Sequence, residues 1–267
     1  MRALLTLVVL LCIGTIVFGN YHWNSKLGTA VDGKVVAVHK NSTETATETA
    51  TEIVDKELTS QGDFRNLPID LAEILQRKVH NGEVVNLAII GSEVNSLHNN
   101  SWTSIFIQEM ELTYNSLFNI TVNSARSEVT TDDVIKGGYH LEGLNAKLDI
   151  VILEPYLLDS NGLIPFNQSL RNISVIIEEL KAENPDVFVF LQPGQPLHKA
   201  IYYPKDVEAL KSWSEENGYT YINHWANWPD YQSDELLHYI NPDSIIPNEQ
   251  GHKVWAEYIT KYFTGTE

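Results

Sequence analysis

The sequence predicts an α/β fold in which a parallel sheet of about five strands is covered by helices on both faces. From residue 66 onwards, short apolar runs alternate with longer runs that have apolar residues at helical spacing. The apolar runs have strand length, and those at 84–90, 148–153 and 187–191 are apolar at nearly every position, which is typical of strands buried on both faces. Strands that alternate with helices in this way pair in parallel, so the pattern indicates an α/β domain.

The elements follow each other regularly along the chain. The first helix is predicted over residues 68–80, with Leu71 and Leu75 on its apolar face and Gly82 as its stop. The predicted strands lie at 84–90, 118–123, 148–153, 187–191 and 219–223. The later helices are predicted from about residue 102, at 168–184, at 204–217 and at 253–263.

The chain before this domain has two different compositions. Arg2 precedes an uncharged apolar run at 3–18, so residues 1–24 are predicted to be a signal peptide or an N-terminal membrane anchor. Residues 25–65 are rich in Thr, Glu and Ala and are predicted to form a flexible stalk, since they carry too little apolar surface to offset the entropy of ordering. We therefore expect residues 66–267 to lie outside the cell, tethered to the membrane, or secreted if the segment is cleaved.

Composition excludes several classes of function. The formal net charge of −17 makes nucleic acid an improbable partner, and we expect the membrane to be contacted through the N-terminal segment only. The single cysteine, Cys12, lies in the apolar run, so the domain has no disulfide within one chain. Neither a calcium loop nor a His/Cys cluster is recognisable, so we expect no metal and no cofactor. The oligomeric state stays open.

Polar residues collect after the predicted strands, where ligands bind in parallel sheets. Glu93 and Glu128 follow the first two strands, and Glu154 follows the third. Asn223 and Trp225 follow the last strand. These five residues are the predicted substrate-binding set. The alternative is that the carboxylates are simply solvated, and that the aromatic residues near them, which could line a sugar groove, complete the core.

Three ordered blocks resemble the SGNH, or GDSL-type, hydrolases. They are Gly91-Ser-Glu93 after the first strand, the segment 123–131, and Asp243-x-x-Ile-Pro-Asn-x-x-Gly-His252 before the last helix. The resemblance covers residues 84–263 and implies a three-layer α/β/α, flavodoxin-like fold. It also implies hydrolysis of ester groups on lipids, polysaccharides or peptidoglycan.

The four signature residues of that family are altered in this chain. The serine position falls on Glu93, with Ser92 one place earlier, and the glycine position falls on Glu128. The asparagine position falls on Leu157, and the histidine position falls on Ile246. If Ser92 reacts, another residue must accept its proton, because isoleucine cannot act as a base.

A catalytic set can still be assembled from the residues present. Ser92 is the predicted nucleophile, His224 is the predicted base because it follows the fifth strand, and Asp243 is predicted to orient or polarise the site. The alternative for His224 is a structural role, packed between Trp225 and Trp228.

Two functions follow from these residues. The first is an extracytoplasmic hydrolase that removes O-acyl or O-acetyl groups from small molecules or cell-envelope glycans, with Ser92 as nucleophile and a non-standard base. The second is a catalytically inactive module of the same fold that binds a glycan or a protein. We expect esterase activity on short acyl esters from the first, and from the second glycan binding that survives Ser92→Ala but is lost in Trp225→Ala.

Overall fold

The computed structural model describes residues 64–144, 146–242 and 244–266. The predicted N-terminal segment 1–24 and all but the last two residues of the predicted stalk 25–65 lie outside these ranges. Among the described helices, none is both long enough and apolar enough to cross a membrane.

The sheet confirms the predicted fold class. Five parallel strands are arranged in the order β2-β1-β3-β4-β5, which is the flavodoxin-like order. The strands are β1 Val85–Gly91, β2 Phe118–Ser124, β3 Ile150–Leu153, β4 Phe188–Leu191 and β5 Thr220–Tyr221. The last strand is shorter than predicted, because the chain turns into a 3-10 helix at His224–Asn227 soon after Ile222 bonds to β4.

Seven α-helices precede, connect or follow the strands of the described domain. They are α1 Ile69–Asn81, α2 Trp102–Tyr114, α3 Thr131–Gly137, α4 Leu157–Ser160, α5 Phe166–Glu183, α6 Tyr203–Glu216 and α7 Glu249–Thr264. The short helices α3 and α4 were not predicted. The last helix begins four residues before its predicted start, because the Asn248 side chain caps it by accepting from the amides of Gln250 and Gly251.

Two hydrophobic cores lie on opposite faces of the sheet. One face packs against α1, α2 and α7, where the rings of Trp102 and Trp255 stack with their centroids 5.0 Å apart. The other face packs against α3, α5 and α6, through residues such as Val134, Ile176 and Leu210. Burial on both faces explains why β1, β3 and β4 are apolar at nearly every position, whereas the edge strand β2 alternates and is only partly buried.

The strand register brings the ends of β1 and β3 together, although these strands are not consecutive. Ile90 pairs with Leu153, so Gly91 and Glu154 are the next residues on the two adjacent strands. A Cβ at Gly91 would lie 2.8 Å from the Cβ of Glu154 and 2.3 Å from the amide nitrogen of Asn95. Glycine is therefore required at the end of β1, because only glycine leaves room for these two side chains.

Candidate active site

Ser92 makes its closest side-chain contact with Glu154. The serine Oγ lies 2.5 Å from Glu154 Oε2, and the backbone N–H of Ser92 donates to the same oxygen at 2.8 Å. Ser92 follows β1 directly and Glu154 follows β3 directly, so both are held by the sheet rather than by long loops. A serine hydroxyl that donates to a carboxylate at this distance has a proton acceptor already in place.

Asn95 completes this cluster. Its Nδ2 group donates to Glu154 Oε2 at 3.2 Å and to the backbone oxygen of Ser92 at 3.0 Å. Asn95 belongs to the 3-10 helix Glu93–Asn95 and is fully buried. One carboxylate oxygen therefore accepts from three donors, two of which belong to Ser92.

The environment of Glu154 makes it a stronger base than an ordinary carboxylate. Burial raises the pKa of Glu154, and the hydrogen bonds from Ser92 and Asn95 oppose that rise. Its second oxygen, Oε1, is buried and has no hydrogen-bond partner within the described residues. A methyl group at Gly194 would approach this oxygen to 3.6 Å and the Tyr203 hydroxyl to 3.1 Å, so both groups face Gly194.

The structure does not bring His224 to Ser92. Its Nδ1 accepts from the indole N–H of Trp228 at 3.1 Å, which leaves the proton on Nε2, and Nε2 donates to the Pro193 oxygen at 2.9 Å. The ring also stacks on Trp255 with centroids 4.1 Å apart. Burial lowers the pKa of His224 to about 3, against the effect of its backbone hydrogen bonds. Both nitrogens are thus engaged, and the geometry is that of a packed, neutral histidine.

The other described histidines near the loops are also engaged elsewhere. His252 Nδ1 accepts from the backbone N–H of Trp102 at 3.3 Å. His140 lies 2.6 Å from Glu179, and His198 lies 3.0 Å from Asp234. No hydrogen bond joins Ser92 to a histidine anywhere in the described ranges.

The final block contributes packing rather than a base at its altered position. Ile246, at the family's histidine position, packs against the core that contains α1, α2 and α7. Asp243, the predicted orienting residue, lies outside the described residues, so its role stays a prediction. The neighbouring Ile245 has a φ of 54°, which is an unusual backbone conformation for a β-branched residue.

The predicted substrate-binding carboxylates take different positions. Glu154 is buried in the cluster with Ser92, whereas Glu93 and Glu128 are exposed at the same edge of the sheet. Glu93 accepts a hydrogen bond from the Ser127 hydroxyl. Their charges act on Asp159, whose pKa rises to about 7 because of burial first and then the charges of Glu154, Glu93 and Glu128. The carboxyl edge is therefore a strongly acidic environment.

The predicted aromatic residues mostly belong to the core. Trp228, Tyr156 and Tyr203 are buried, which contradicts the idea that they line an open sugar groove. Trp225 is half-buried, and its indole N–H donates to the Gly194 oxygen at 2.7 Å. Asn223 is exposed and precedes the 3-10 helix His224–Asn227.

Sequence reasoning missed two features of the site. Asn95 was not predicted as a member, and Glu154 was predicted to bind substrate rather than to contact Ser92. A glutamate directly after a wholly apolar strand was the available signal, because a buried carboxylate needs donors close by. Among the described residues, no group of three or more His, Cys, Asp or Glu is arranged to hold a metal ion.

Solved structures with a similar fold include proteins of the G-D-S-L family. A G-D-S-L family lipolytic protein from Desulfitobacterium hafniense has a TM-score of 0.52 and 17% identity, covering 67% of this chain and 99% of its own. One from Veillonella parvula has a TM-score of 0.53 and 13% identity, with coverage of 68% and 99%. A two-domain esterase active on acetylated mannans has a TM-score of 0.53 and 12% identity, with coverage of 78% and 55%.

The sequence itself gives no such match. No protein-family model matches the chain, and no curated protein sequence matches it. The likeness is therefore one of three-dimensional structure, and for the Desulfitobacterium hafniense protein it covers 67% of this chain. From its strand order, its two-sided helix packing and these structural neighbours, the chain has the fold of the SGNH, or GDSL-type, hydrolases.

Proposed function

We propose that this protein is an SGNH-type ester hydrolase in which Glu154, rather than a histidine, accepts the proton of the nucleophile Ser92. The observation that carries the proposal is the 2.5 Å contact between Ser92 Oγ and Glu154 Oε2. The structural likeness to lipolytic proteins and to an esterase of acetylated mannans supports the reaction class. We infer an O-acyl or O-acetyl group as the substrate, carried by a small molecule or an envelope glycan outside the cell.

The first half of the reaction is acyl transfer to Ser92. The Oγ proton passes to Glu154 Oε2 while Oγ bonds to the ester carbonyl carbon, whose π electrons move to the carbonyl oxygen. The tetrahedral intermediate collapses, the bond to the leaving alcohol breaks, and that oxygen takes the proton from Glu154. Burial favours this cycle because it raises the proton affinity of Glu154.

The second half is hydrolysis of the acyl-serine. Glu154 accepts a proton from water as the water oxygen attacks the acyl carbon. When that intermediate collapses, the bond to Oγ breaks and Oγ recovers the proton from Glu154, which releases the acid. Glu154 is thus the base at the start of each half and the acid at its end, so no second titrating group is needed.

We assign stabilisation of the oxyanion to two donors that are hydrogen-bonded to Glu154 in the resting enzyme. The Ser92 N–H and Asn95 Nδ2 both donate to Oε2 at rest. A protonated Glu154 is a poorer acceptor than the carboxylate, so proton transfer weakens both bonds at the moment when the oxyanion forms. We infer that these two donors then turn to the oxyanion.

The test is hydrolysis of p-nitrophenyl acetate by the purified full-length chain, together with modification by a fluorophosphonate. We expect activity in the wild type and a single phosphonyl group on Ser92. Ser92→Ala should lower kcat/KM by about three orders of magnitude or more. Ser212→Ala, an exposed serine on α6, is the matched control and should leave the activity unchanged. No activity in the wild type, or equal activity in Ser92→Ala, would contradict the proposal.

A second function is favoured by one specific observation. Glu154 Oε2 occupies the donors that an oxyanion would need, and Ser92 is only 8% exposed. An inactive module that binds a glycan or protein explains this arrangement without any movement of the donors. Its signature would be glycan binding that survives Ser92→Ala but is lost in Trp225→Ala, with no esterase activity in the wild type.

A further inference from the structure

A separate cavity lies beyond the carboxyl end of β2. Its volume is about 300 Å³, at the lower end of the range for small-molecule pockets. The residues that matter for its chemistry are Asn123, Arg126, Tyr139 and Glu142. None of them belongs to the Ser92 cluster.

The walls of this cavity are fixed to each other and to the segment that carries Ser92. Asn123 Nδ2 donates to the backbone oxygen of Tyr139 at 2.8 Å, which joins the two sides of the cavity. The backbone N–H of Ala125 donates to the Gly91 oxygen at 2.8 Å. Asn123 and Tyr139 are therefore held together, Arg126 and Glu142 are exposed, and the cavity adjoins the residue before Ser92.

The two charged residues of the cavity differ in their hydrogen-bonding groups: one offers donors and the other offers acceptors. Arg126 offers only donors, and its guanidinium lies 6.0 Å from the centroid of the Tyr139 ring, without a carboxylate partner among the described residues. Glu142 offers only acceptors when ionised. Their opposite charges leave the cavity close to neutral, although it lies at an acidic edge of the domain.

We propose that this cavity binds an uncharged sugar ring, next to the ester that Ser92 would cleave. A sugar has hydroxyl groups that both donate and accept, so it can match Arg126 and Glu142 at once, and the half-buried Tyr139 lines the same cavity. The position beside Gly91 makes this the glycan-binding subsite of an acylated glycan. The inference rests on the proposed function and narrows its substrate class.

The test compares two substrates of the full-length chain, an O-acetylated neutral oligosaccharide and p-nitrophenyl acetate, which has no sugar. In Arg126→Ala and in Tyr139→Ala, we expect the ratio of kcat/KM for the oligosaccharide to kcat/KM for p-nitrophenyl acetate to fall about tenfold. Arg171→Ala, an exposed arginine on α5, is the control and should leave the ratio unchanged. An unchanged ratio in both cavity variants would overturn the inference, as would activity on p-nitrophenyl acetate together with no activity on any acetylated neutral glycan.

A binding measurement separates this inference from the proposed function. We expect calorimetric titration of Ser92→Ala with the deacetylated oligosaccharide to detect binding, and the further substitution Arg126→Ala to weaken it about tenfold. Binding with this dependence but no esterase activity in the wild type would support the cavity and reject the proposed hydrolase. Esterase activity in the wild type without any oligosaccharide binding would reject only the cavity as a sugar site.

Discussion

Two buried polar clusters at the same edge of the sheet differ in how completely their hydrogen bonds are made. In the His224 cluster, both ring nitrogens have partners and the ring stacks on Trp255. In the Ser92 cluster, three donors converge on one oxygen of Glu154, while its other oxygen and Asn95 Oδ1 have no partner within the described residues.

This difference separates a structural role from a chemical one. A buried group with every hydrogen bond made stabilises the fold, and using it as a base would break those bonds. A buried carboxylate with one oxygen unpaired is costly to the fold, and such exceptions need an explanation. Proton transfer from Ser92 supplies that explanation for Glu154, whereas His224 needs none beyond packing.

The largest expected effect is a loss of activity when the Ser92 cluster loses its proton acceptor. Glu154→Gln keeps the size of the side chain but removes the proton acceptor, so we expect kcat/KM for p-nitrophenyl acetate to fall by about 10²- to 10⁴-fold. Glu178→Gln, an exposed residue on α5, should have no effect. Activity in Glu154→Gln close to that of the wild type would mean that Glu154 is not the proton acceptor and that the two clusters do not differ in role.

The next effect concerns the amide in the same cluster. Asn95→Ala removes a donor to Glu154 and to the Ser92 oxygen. If that donor turns to the oxyanion, kcat should fall about 100-fold with little change in KM. Steady-state kinetics distinguish the two constants. A change in KM alone would mean that Asn95 only shapes the pocket.

For the His224 cluster, we expect a substitution to lower stability rather than activity. His224→Phe leaves the Trp228 indole N–H and the Pro193 oxygen without their partner, so we expect the free energy of unfolding to fall by about 2–4 kcal/mol. Urea denaturation measures this change, and exposed His80→Ala is the control. Esterase activity per folded molecule should stay within about threefold of the wild type. A large loss of activity without a loss of stability would mean that His224 takes part in the reaction.

The smallest effects are in the pH dependence of stability. The pKa of His224 falls from 6.5 to about 3 in the folded state, so the unfolded state binds the extra proton between those values and stability falls as the pH drops through them. Asp159 acts in the opposite sense. Its pKa rises from 3.8 to about 7, so the folded state holds the extra proton and stability falls as the pH rises through that window.

Replacing Asp159 should therefore remove its contribution, which is the loss of stability as the pH rises. We expect the stability of Asp159→Asn relative to the wild type to increase from about pH 4 to pH 7, by a fraction of the roughly 1.4 kcal/mol per pH unit that one proton gives. Urea denaturation across this range measures the difference. A difference that stays constant or shrinks with rising pH would mean that Asp159 is not protonated in the folded state.

The fold was predictable from the sequence because the apolar strands and amphipathic helices have clear periods. Helix α3 was missed because it is short, although the reciprocal bonds of Thr130 and Asp133 give it a capping box. The first two strands and the helices α1 and α5 agree with their predicted positions within about two residues, a usual error for element ends.

The site was only partly predictable. Ser92 and Glu154 were both identified as residues of the carboxyl edge, but their contact depends on β1 and β3 being neighbours. Periodicity gives the strands, not their order. His224 does follow the last strand, yet its ring is turned towards Trp228 and Trp255, and that orientation is decided by packing between distant segments.

The central claim is that Ser92 gives its proton to Glu154, and the rate of fluorophosphonate modification of Ser92 across pH tests it most directly. We expect the wild-type rate to rise through one ionisation above the ordinary glutamate pKa of 4.5, since burial raises the pKa of Glu154. Glu154→Gln should react about 100-fold more slowly and without that rise, whereas His224→Phe should keep the wild-type profile. Equal rates in the wild type and Glu154→Gln, or a profile that disappears in His224→Phe, would contradict the account.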